Sequence, residues 1–564
     1  MNRYLLGIDY GTGGCKVTAI DETGAFVGEA STEFVTYHDH PGWSEQEPGD
    51  WWDALRASLK KLSAKGVDLS QVAALALDGS THNAVLLSSA PEFRNPLNFS
   101  TSQPLNPIRR TIMWTDQRAT AECEALKAEW GEKIFKTCFQ MPAPTWTLPQ
   151  MMWLKANEPQ MLEKVEHVLF VKDYVRYLMT GKAATDYIEA QGTLMCDLRL
   201  TGAFRGNAPT EGSAKLGGCS SVNCTGGWHP ELVELAGLKM SAMPEIIKPT
   251  DVVGGVTERA AAELGLSAGT PVVCGSSDSA VEDYGAGAVD PGDLIIKLAT
   301  AGNVNSMTAA AHPHPKTLTY SHIVPGMWYS VSATNAAALC MRWLRDTFYV
   351  KWLNSPSGIK LLNDGAEDLK AEGRFNDLKR SDLIPYEVID AEASVSPVGA
   401  NGVVFHPYLQ GERCPYWDAN LRASFTGVSI SSTRGDFARA LMEGVAFSLR
   451  DCYGTLEEMK LPVKRIFLIG GGARSKLWSE IVCNVFNCEV AVPMPADASF
   501  GACLLAGTGI GVFKDVKEAV AKCLHVDRTI KPDPKAAEEY DRLYTWYKKI
   551  HDALAPVYKM RADI

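Results

Sequence analysis

Three glycine-containing segments of the chain carry the residue types that handle phosphate. Gly11-Thr12-Gly13-Gly14 follows the apolar, β-prone run Tyr4 to Ile8, Ala299-Thr300-Ala301-Gly302 follows Leu294 to Leu298, and Gly470-Gly471-Gly472-Ala473 follows Ile466 to Ile469. Glycines let the backbone approach a ligand, successive N–H groups form an anion-binding nest, and a threonine hydroxyl adds a donor. The third cluster precedes a helix expected to begin near Leu477. A strand–glycine–helix step admits a flat nucleotide and offers it a helix N-terminus, which favours negative charge. The cluster is neither GxGxxG nor GxxxxGK[ST], so neither a Rossmann nor a Walker loop is indicated. Each turn taken alone reads equally as a hairpin or a tight connection.

Carboxylates and a histidine stand at the ends of apolar runs. Asp9 precedes the first turn, where it could hold Mg²⁺ or its waters. Asp278 ends the run Val272-Val273-Cys274-Gly275-Ser276-Ser277. There it could accept a proton from a substrate hydroxyl during phosphoryl transfer, or cap the next helix. Thr81-His82 follows the strand-like Val72 to Leu77, and His82 could hydrogen-bond a sugar hydroxyl or serve as a core histidine. Trp43-Ser44-Glu45-Gln46 and Trp114-Thr115-Asp116-Gln117-Arg118 are polar-aromatic clusters of the sort that bind sugars by stacking and hydrogen bonding, and both could equally be structural. The pairs His38/His40 and His312/His314 sit next to prolines and are assigned no metal.

Strands alternating with helices must position these groups, which points to an α/β protein. A helix is expected after Pro48 with Asp50 as its N-cap, and another from Pro534 with Tyr540, Leu543, Tyr547, Ile550 and Leu554 on one face. Leu294 to Gly302 lies over Leu6 to Gly14 at a spacing of 288 residues, a faint repeat that suggests two related lobes. The segments 205–228 and 351–395 read as excursions from the core. Acidic residues outnumber basic ones, 66 to 55 in 564 residues, and the net charge of −11 argues against a nucleic-acid backbone as the main partner, without excluding a local basic pocket for a phosphorylated small molecule. The 14 cysteines include no CxxC and no zinc spacing, so buried thiols in a reducing compartment are expected. No secretory signal opens the chain, and its longest apolar stretch, 498–513, is broken by Ser, Thr and glycines. A soluble, cytoplasmic protein is expected.

In chain order, the segments DYGTGGCK, WSEQEPGDWW, GSTH, IMWTDQR, SSDSA, KLATAGN, PYLQGERCP, ARALMEGVAFSLRD and LIGGGARSKLW resemble the FGGY carbohydrate kinases. The resemblance spans the chain apart from the two excursions. Within the family, WSEQEPGDWW and PYLQGER are close to the xylulokinase pattern. His82 matches the Met-His pair of that group and Thr81 does not; glycerol kinases carry Arg-Glu there. Ser277-Asp278-Ser279 stands where the family reads Gly-Asp-Asn or Gly-Asp-Gln, and Ala299-Thr300-Ala301-Gly302 where Gly-Thr-Ser-Gly is common.

The resemblance implies two lobes of the actin/hexokinase type, each with a ribonuclease-H-like core, at 1–288 and 289–564, with a cleft between them. It implies that Asp278 is the general base, Asp9 the Mg²⁺-associated carboxylate, and Gly11, Thr12, Thr300 and Gly302 the phosphate-turn residues. Gly470, Gly471, Gly472 and Ala473 become the adenosine loop, and Thr81, His82, Trp114 and Asp278 the sugar contacts. The implied activity is ATP- and Mg²⁺-dependent phosphorylation of the terminal hydroxyl of a ketopentose, D-xylulose foremost. Ribulose, L-xylulose or a tetritol are the alternative substrates. A non-catalytic sugar or nucleotide sensor is the rival of another class, although a sensor has no need of a base. The expected partner is a small sugar, with neither nucleic acid nor membrane, and a homodimer is left open.

Overall fold

The computed structural model describes residues 3–93, 105–200, 227–349 and 385–561. The expected excursions therefore lie largely outside the described residues; of them, Gly227–Trp228 is a short strand and Pro385–Val395 a helix. Along the chain, the elements that position the site are β1 (Tyr4–Gly11), β2 (Gly14–Asp21), β3 (Phe26–Glu33), β4 (Glu45–Gln46), α1 (Pro48–Ala64), β5 (Val72–Gly79), α2 (Val171–Thr180), α3 (Tyr187–Gln191), β6 (Val252–Gly255), β7 (Pro271–Ser277) and α4 (Asp278–Gly285). They continue with β8 (Asp293–Leu298), β9 (Gly302–Thr308), β10 (Leu318–Ser321), β11 (Trp328–Thr334), α5 (Ala338–Leu344), α6 (Arg434–Glu458), β12 (Arg465–Ile469), α7 (Lys476–Phe486), β13 (Val490–Pro493), α8 (Ala498–Gly509), β14 (Val526–Ile530) and α9 (Pro534–Arg561).

Two compact units result. The first comprises Met1–Asp293, Met307–Ser330 and Pro493–His525, and the second Leu294–Ser306, Val331–Val492 and Val526–Ile564. The first is built on a six-stranded sheet in the order β6-β7-β5-β1-β2-β3. β1, β2 and β3 form an antiparallel meander, whereas β5 runs parallel to both β1 and β7. The parallel strands are apolar runs because both faces are covered. Leu6, Ile8, Leu75 and Leu77 share a core with Trp51, Leu55 and Leu59 of α1. The N-cap of α1 is Glu47 rather than Asp50: Pro48 takes the first helical position, which needs no N–H, and Asp50 falls inside the first turn.

The chain returns to the first unit with α8. A Cβ at Gly7 would stand 1.8 Å from the carbonyl oxygen of Ser499, so the helix rests backbone against backbone on β1. The apolar stretch 498–513 is thus mostly a buried helix, and among the described residues no helix is long and apolar enough to cross a membrane. The described cysteines are all free thiols and, Cys488 apart, buried.

The second unit carries a seven-stranded sheet in the order β10-β11-β9-β8-β12-β13-β14, of which β10 and the outer ends of β9 and β11 are counted with the first unit. Leu294, Ile296 and Leu298 of β8 pack with Leu441, Val445 and Leu449 of α6 and with Trp478 and Ile481 of α7. α9 is the terminal helix expected from Pro534, and it buries Tyr540 and Tyr547 in this core. The faint repeat corresponds to two hairpins. One closes at the pair Gly11↔Gly14 and the other, longer by one residue, at Leu298↔Gly302.

Candidate active site

Parallel strands deliver the side chains at their carboxyl ends to one edge of the sheet. Asp9 of β1 is the register partner of Asp78 on β5, and Asp78 is the partner of Ser276 on β7. Gly275 makes the last pairing fit: its φ is +72°, and a Cβ there would stand 1.6 Å from the carbonyl oxygen of Leu77. Asp278 follows as the first residue of α4, one place past the N-cap Ser277. Its Oδ1 accepts from the Ser279 N–H at 2.7 Å and from Thr81 Oγ1 at 3.3 Å. Three carboxylates and the Thr81 hydroxyl, from segments far apart in sequence, thus gather at one strand edge.

No donor among the described residues reaches Oδ1 of Asp9 or either oxygen of Asp78. Burial pushes the Asp9 carboxyl up to about 7; the adjoining Asp78 carboxyl works against this, while the charges of Asp278, Asp497 and Glu282 add to it. Asp78 is likewise raised by burial and by the Asp9 carboxyl. Asp497 behaves differently. Burial would raise it, but Lys16 Nζ at 2.7 Å, Ser499 Oγ and the Phe500 N–H hold it below the usual carboxylate range. The orphaned oxygen of Asp9 and the surplus negative charge fit a divalent cation. Mg²⁺ is content with one or two carboxylates and completes its shell with waters and phosphate oxygens. Among the described residues, no three His, Cys, Asp or Glu side chains form a group that could hold a metal ion by themselves.

His82 lies beside this edge and is 8 % exposed. It adopts a left-handed φ of 57°, which is uncommon for a side chain with a Cβ. Its N–H donates to Oε1 of Glu189 on α3, its carbonyl accepts from Thr147 Oγ1, and its ring stacks on Trp146 at 4.8 Å. Nδ1 meets no partner among the described residues, and burial lowers the pKa to about 4, so the ring is neutral. Tyr320 continues the stack beyond Trp146 at 6.3 Å, and Tyr329 stacks on Tyr320 at 5.5 Å. Beneath His82, Lys172 pairs with Asp173 at 2.6 Å and Asp186 at 2.8 Å, and Arg176 with Asp173 at 3.0 Å, all of them buried. Asp186 also accepts from Ser276 Oγ at 2.7 Å. One buried ionic cluster therefore braces both the His82 loop and the strand end that leads to Asp278.

The two polar-aromatic clusters are bound largely to each other. Arg118 lies over the Trp43 ring at 3.7 Å and pairs with Asp116 and Glu45, both at 2.8 Å. Asp116 also receives the Ser44 N–H. These contacts fit the structural of the two readings that their composition left open. Trp114 differs: the residue is 36 % exposed, and its backbone N–H donates to Oδ1 of Asn83, next to His82. A pocket of about 410 Å³ opens among His38, Asp39, His40, Trp43 and Thr115, but it holds none of the strand-end carboxylates.

In the second unit, the other two glycine clusters meet. A Cβ at Gly470, whose φ is +89°, would stand 2.7 Å from the carbonyl oxygen of Leu298, at the start of the Ala299–Gly302 turn. The Thr300 carbonyl accepts from the N–H groups of Ala337 and Leu339 at 3.0 and 3.2 Å. Glu412 holds that segment through Thr334 Oγ1 at 2.6 Å and the Asn335 N–H at 2.9 Å. Gly472 and Ala473 are buried, whereas Gly471 is exposed, and a Cβ built on it meets nothing within 4 Å. The helix after the loop begins at Lys476 with Ser475 as its cap, which agrees with the expected start near Leu477.

Several of these residues escape a reading of the sequence. Asp78 was within reach, since it ends a strand directly across from Asp9. Glu189, Trp146, Tyr320, Tyr329 and Asp497 carry no local signal; only the tertiary fold brings them to the strand ends.

The N-terminal domain model of the FGGY family of carbohydrate kinases matches residues 4–204 and 218–285, and its C-terminal domain model matches 300–510. A xylulose kinase from Staphylococcus epidermidis is 28 % identical over 557 residues, covering 98 % of this chain and 97 % of that protein. A gluconokinase from Bacillus licheniformis is 24 % identical over 567 residues, covering 100 % and 98 %. A solved xylulose kinase from Rhodospirillum rubrum superposes with a TM-score of 0.77 at 26 % identity over 99 % of this chain and 100 % of that one. The two matched domain models, and the actin/hexokinase-like fold shared with these kinases, show that the chain is an enzyme of the FGGY family of carbohydrate kinases.

Proposed function

We propose that the protein transfers the γ-phosphoryl group of ATP to the terminal hydroxyl of a ketopentose, with D-xylulose as the preferred acceptor. The observation that carries this reading is the contact between Thr81 Oγ1 and Asp278 Oδ1, which joins the strand end that reads the sugar to the carboxylate that would take its proton. In this reading, Asp278 accepts the proton of the attacking hydroxyl. His82 offers its unpartnered Nδ1 to another hydroxyl, and the Trp146–Tyr320 stack gives the sugar an apolar wall. The 289–564 part supplies the nucleotide loop at Gly470 to Ala473 and the turn at Thr300 and Gly302; the 1–288 part supplies Gly11 and Thr12. Asp9 would hold Mg²⁺, which, when bound, neutralises phosphate charge.

An aldonate such as gluconate is the competing acceptor suggested by one relative. Its carboxylate would need a free cation. Lys172 and Arg176, the cations nearest the His82 loop in the ionic cluster, are buried and already paired with Asp173 and Asp186. This favours a neutral ketose. ADP release should be measured with D-xylulose, D-ribulose, L-xylulose, a tetritol and D-gluconate. The highest kcat/KM is expected with D-xylulose. A higher value with gluconate overturns the substrate reading, and ADP release indifferent to every sugar overturns the kinase mechanism at Asp278.

A further inference from the structure

We propose that Gln46 is a positioning residue for phosphoryl transfer: it holds the Gly11–Gly14 turn so that the Gly13 N–H faces the phosphates of the nucleotide. The proposal rests on the reading of that turn as a phosphate turn. Gln46 is 1 % exposed, and its amide is engaged at both ends. Nε2 donates to the Thr12 carbonyl at 2.7 Å and to Thr36 Oγ1 at 2.9 Å, while Oε1 accepts from the indole N–H of Trp51 at 3.0 Å. Trp51 is fully buried in the core on α1, so the amide is anchored to a rigid element.

The consequence for the turn follows from peptide geometry. In a planar trans peptide, the carbonyl of one residue and the N–H of the next point in opposite directions. Drawing the Thr12 carbonyl inward therefore aims the Gly13 N–H outward. Thr36 Oγ1 reinforces the pull at 3.4 Å, and the Phe34 N–H holds the Gly13 carbonyl at 3.2 Å. Thr12 and Gly13 are both exposed, and a Cβ on Gly13 would meet nothing within 4 Å, so the turn is fixed from its inner side. A donor held in place before the ligand arrives needs no reorganisation during reaction. A carboxylate at position 46 would accept from Trp51 but could not donate to Thr12, and it would place negative charge behind a phosphate site.

The test compares Gln46→Glu and Gln46→Leu with the parent enzyme in steady-state kinetics. ATP KM should rise about 10–150-fold, the range expected when one hydrogen bond to a charged group is lost. Sugar KM should stay within about twofold of the parent. A lower melting temperature with ATP KM and kcat intact overturns the proposal, because a merely structural glutamine behaves that way. Trp51→Phe frees Oε1 of Gln46 while keeping an aromatic ring in the core, and should raise ATP KM in the same direction by a smaller factor. An unchanged ATP KM there overturns the proposal even if the Gln46 variants do not fold. Gly13→Pro removes the N–H itself and separates the two levels of the argument. If it impairs ATP use while Gln46→Glu does not, the turn binds phosphate and Gln46 is not its positioner. If folded Gly13→Pro uses ATP normally, the phosphate-turn reading falls as well.

Discussion

The N–H of His82 donates to Oε1 of Glu189, and the hydroxyl of Thr147 closes on the His82 carbonyl from the other side. A residue held at φ 57° keeps that conformation only when its surroundings over-determine it, and such strain gathers at functional sites. Glu189→Ala should release the loop. Breaking a buried polar cluster by removing one member costs about 3–5 kcal/mol, so the melting temperature should fall. Sugar KM should rise ~5–50-fold with ATP KM unchanged, since one bond to the sugar is lost. Glu189→Gln retains a carbonyl acceptor for the His82 N–H and should restore sugar KM. If both variants bind sugar normally, Glu189 serves the fold alone.

Asp278→Asn tests the base. The amide keeps the shape and can still accept from Thr81 and Ser279, but it cannot take a proton. Loss of a general base costs ~10²–10⁴ in rate, so kcat should collapse while calorimetric ATP affinity holds. Turnover near the parent value would remove Asp278 from the mechanism.

The residues that sequence inspection located are those whose job is written in a local pattern. Asp9 and Asp278 end apolar runs, and glycines mark the points where backbones touch, as at Gly470 against Leu298. The hairpin pair behind the faint repeat was legible for the same reason, because a strand–turn–strand needs only short-range signals. The return of α8 to β1 was not. Ala498 to Gly509 reads as a generic apolar helix, and its partner Gly7 lies at the other end of the chain. The same limit hid Glu189, whose carboxylate meets His82 through a fold that no spacing encodes. Composition left two readings open for Trp43, Arg118 and Asp116, a sugar wall or a structural cluster, and only the fold shows that they spend their polarity on one another.

In mild acid the His82 imidazole should cost the fold stability, while the raised carboxyls of Asp9 and Asp78 act in the opposite sense. Burial lowers the pKa of His82 to about 4, and that of His406 to about 4 as well. A histidine with a depressed folded pKa takes up a proton more readily when unfolded. The stability it contributes is complete above the ordinary value near 6.5 and is lost as pH falls from there toward 4. For His82 the loss approaches about 3 kcal/mol at the lower end. Asparagine tolerates left-handed backbone and does not titrate in this window. In chemical denaturation at pH 7.5, 6 and 5, His82→Asn should therefore lose less stability with acid than the parent. Equal slopes would mean that the imidazole is not held neutral.

Gly471 offers a way to touch the nucleotide loop without disturbing the fold. A Cβ there meets nothing within 4 Å, and Gly471 does not adopt the left-handed backbone that Gly470 does. Gly472 is the contrasting neighbour, since a Cβ on it would come within 2.8 Å of the Leu298 side chain. Gly471→Val should keep the melting temperature of the parent, because the new side chain points into open space. It should weaken ATP and ADP binding by ~10-fold or more if adenosine lies over this loop, since overpacking a close contact costs ~1–3 kcal/mol. Sugar binding measured without nucleotide should be unchanged, as the Thr81, His82 and Asp278 groups belong to the first unit. Gly472→Val should instead lower the melting temperature, and its weaker nucleotide binding would then carry no information about contact. A folded Gly471→Val protein with parental nucleotide affinity by calorimetric titration would place adenosine elsewhere on the second unit.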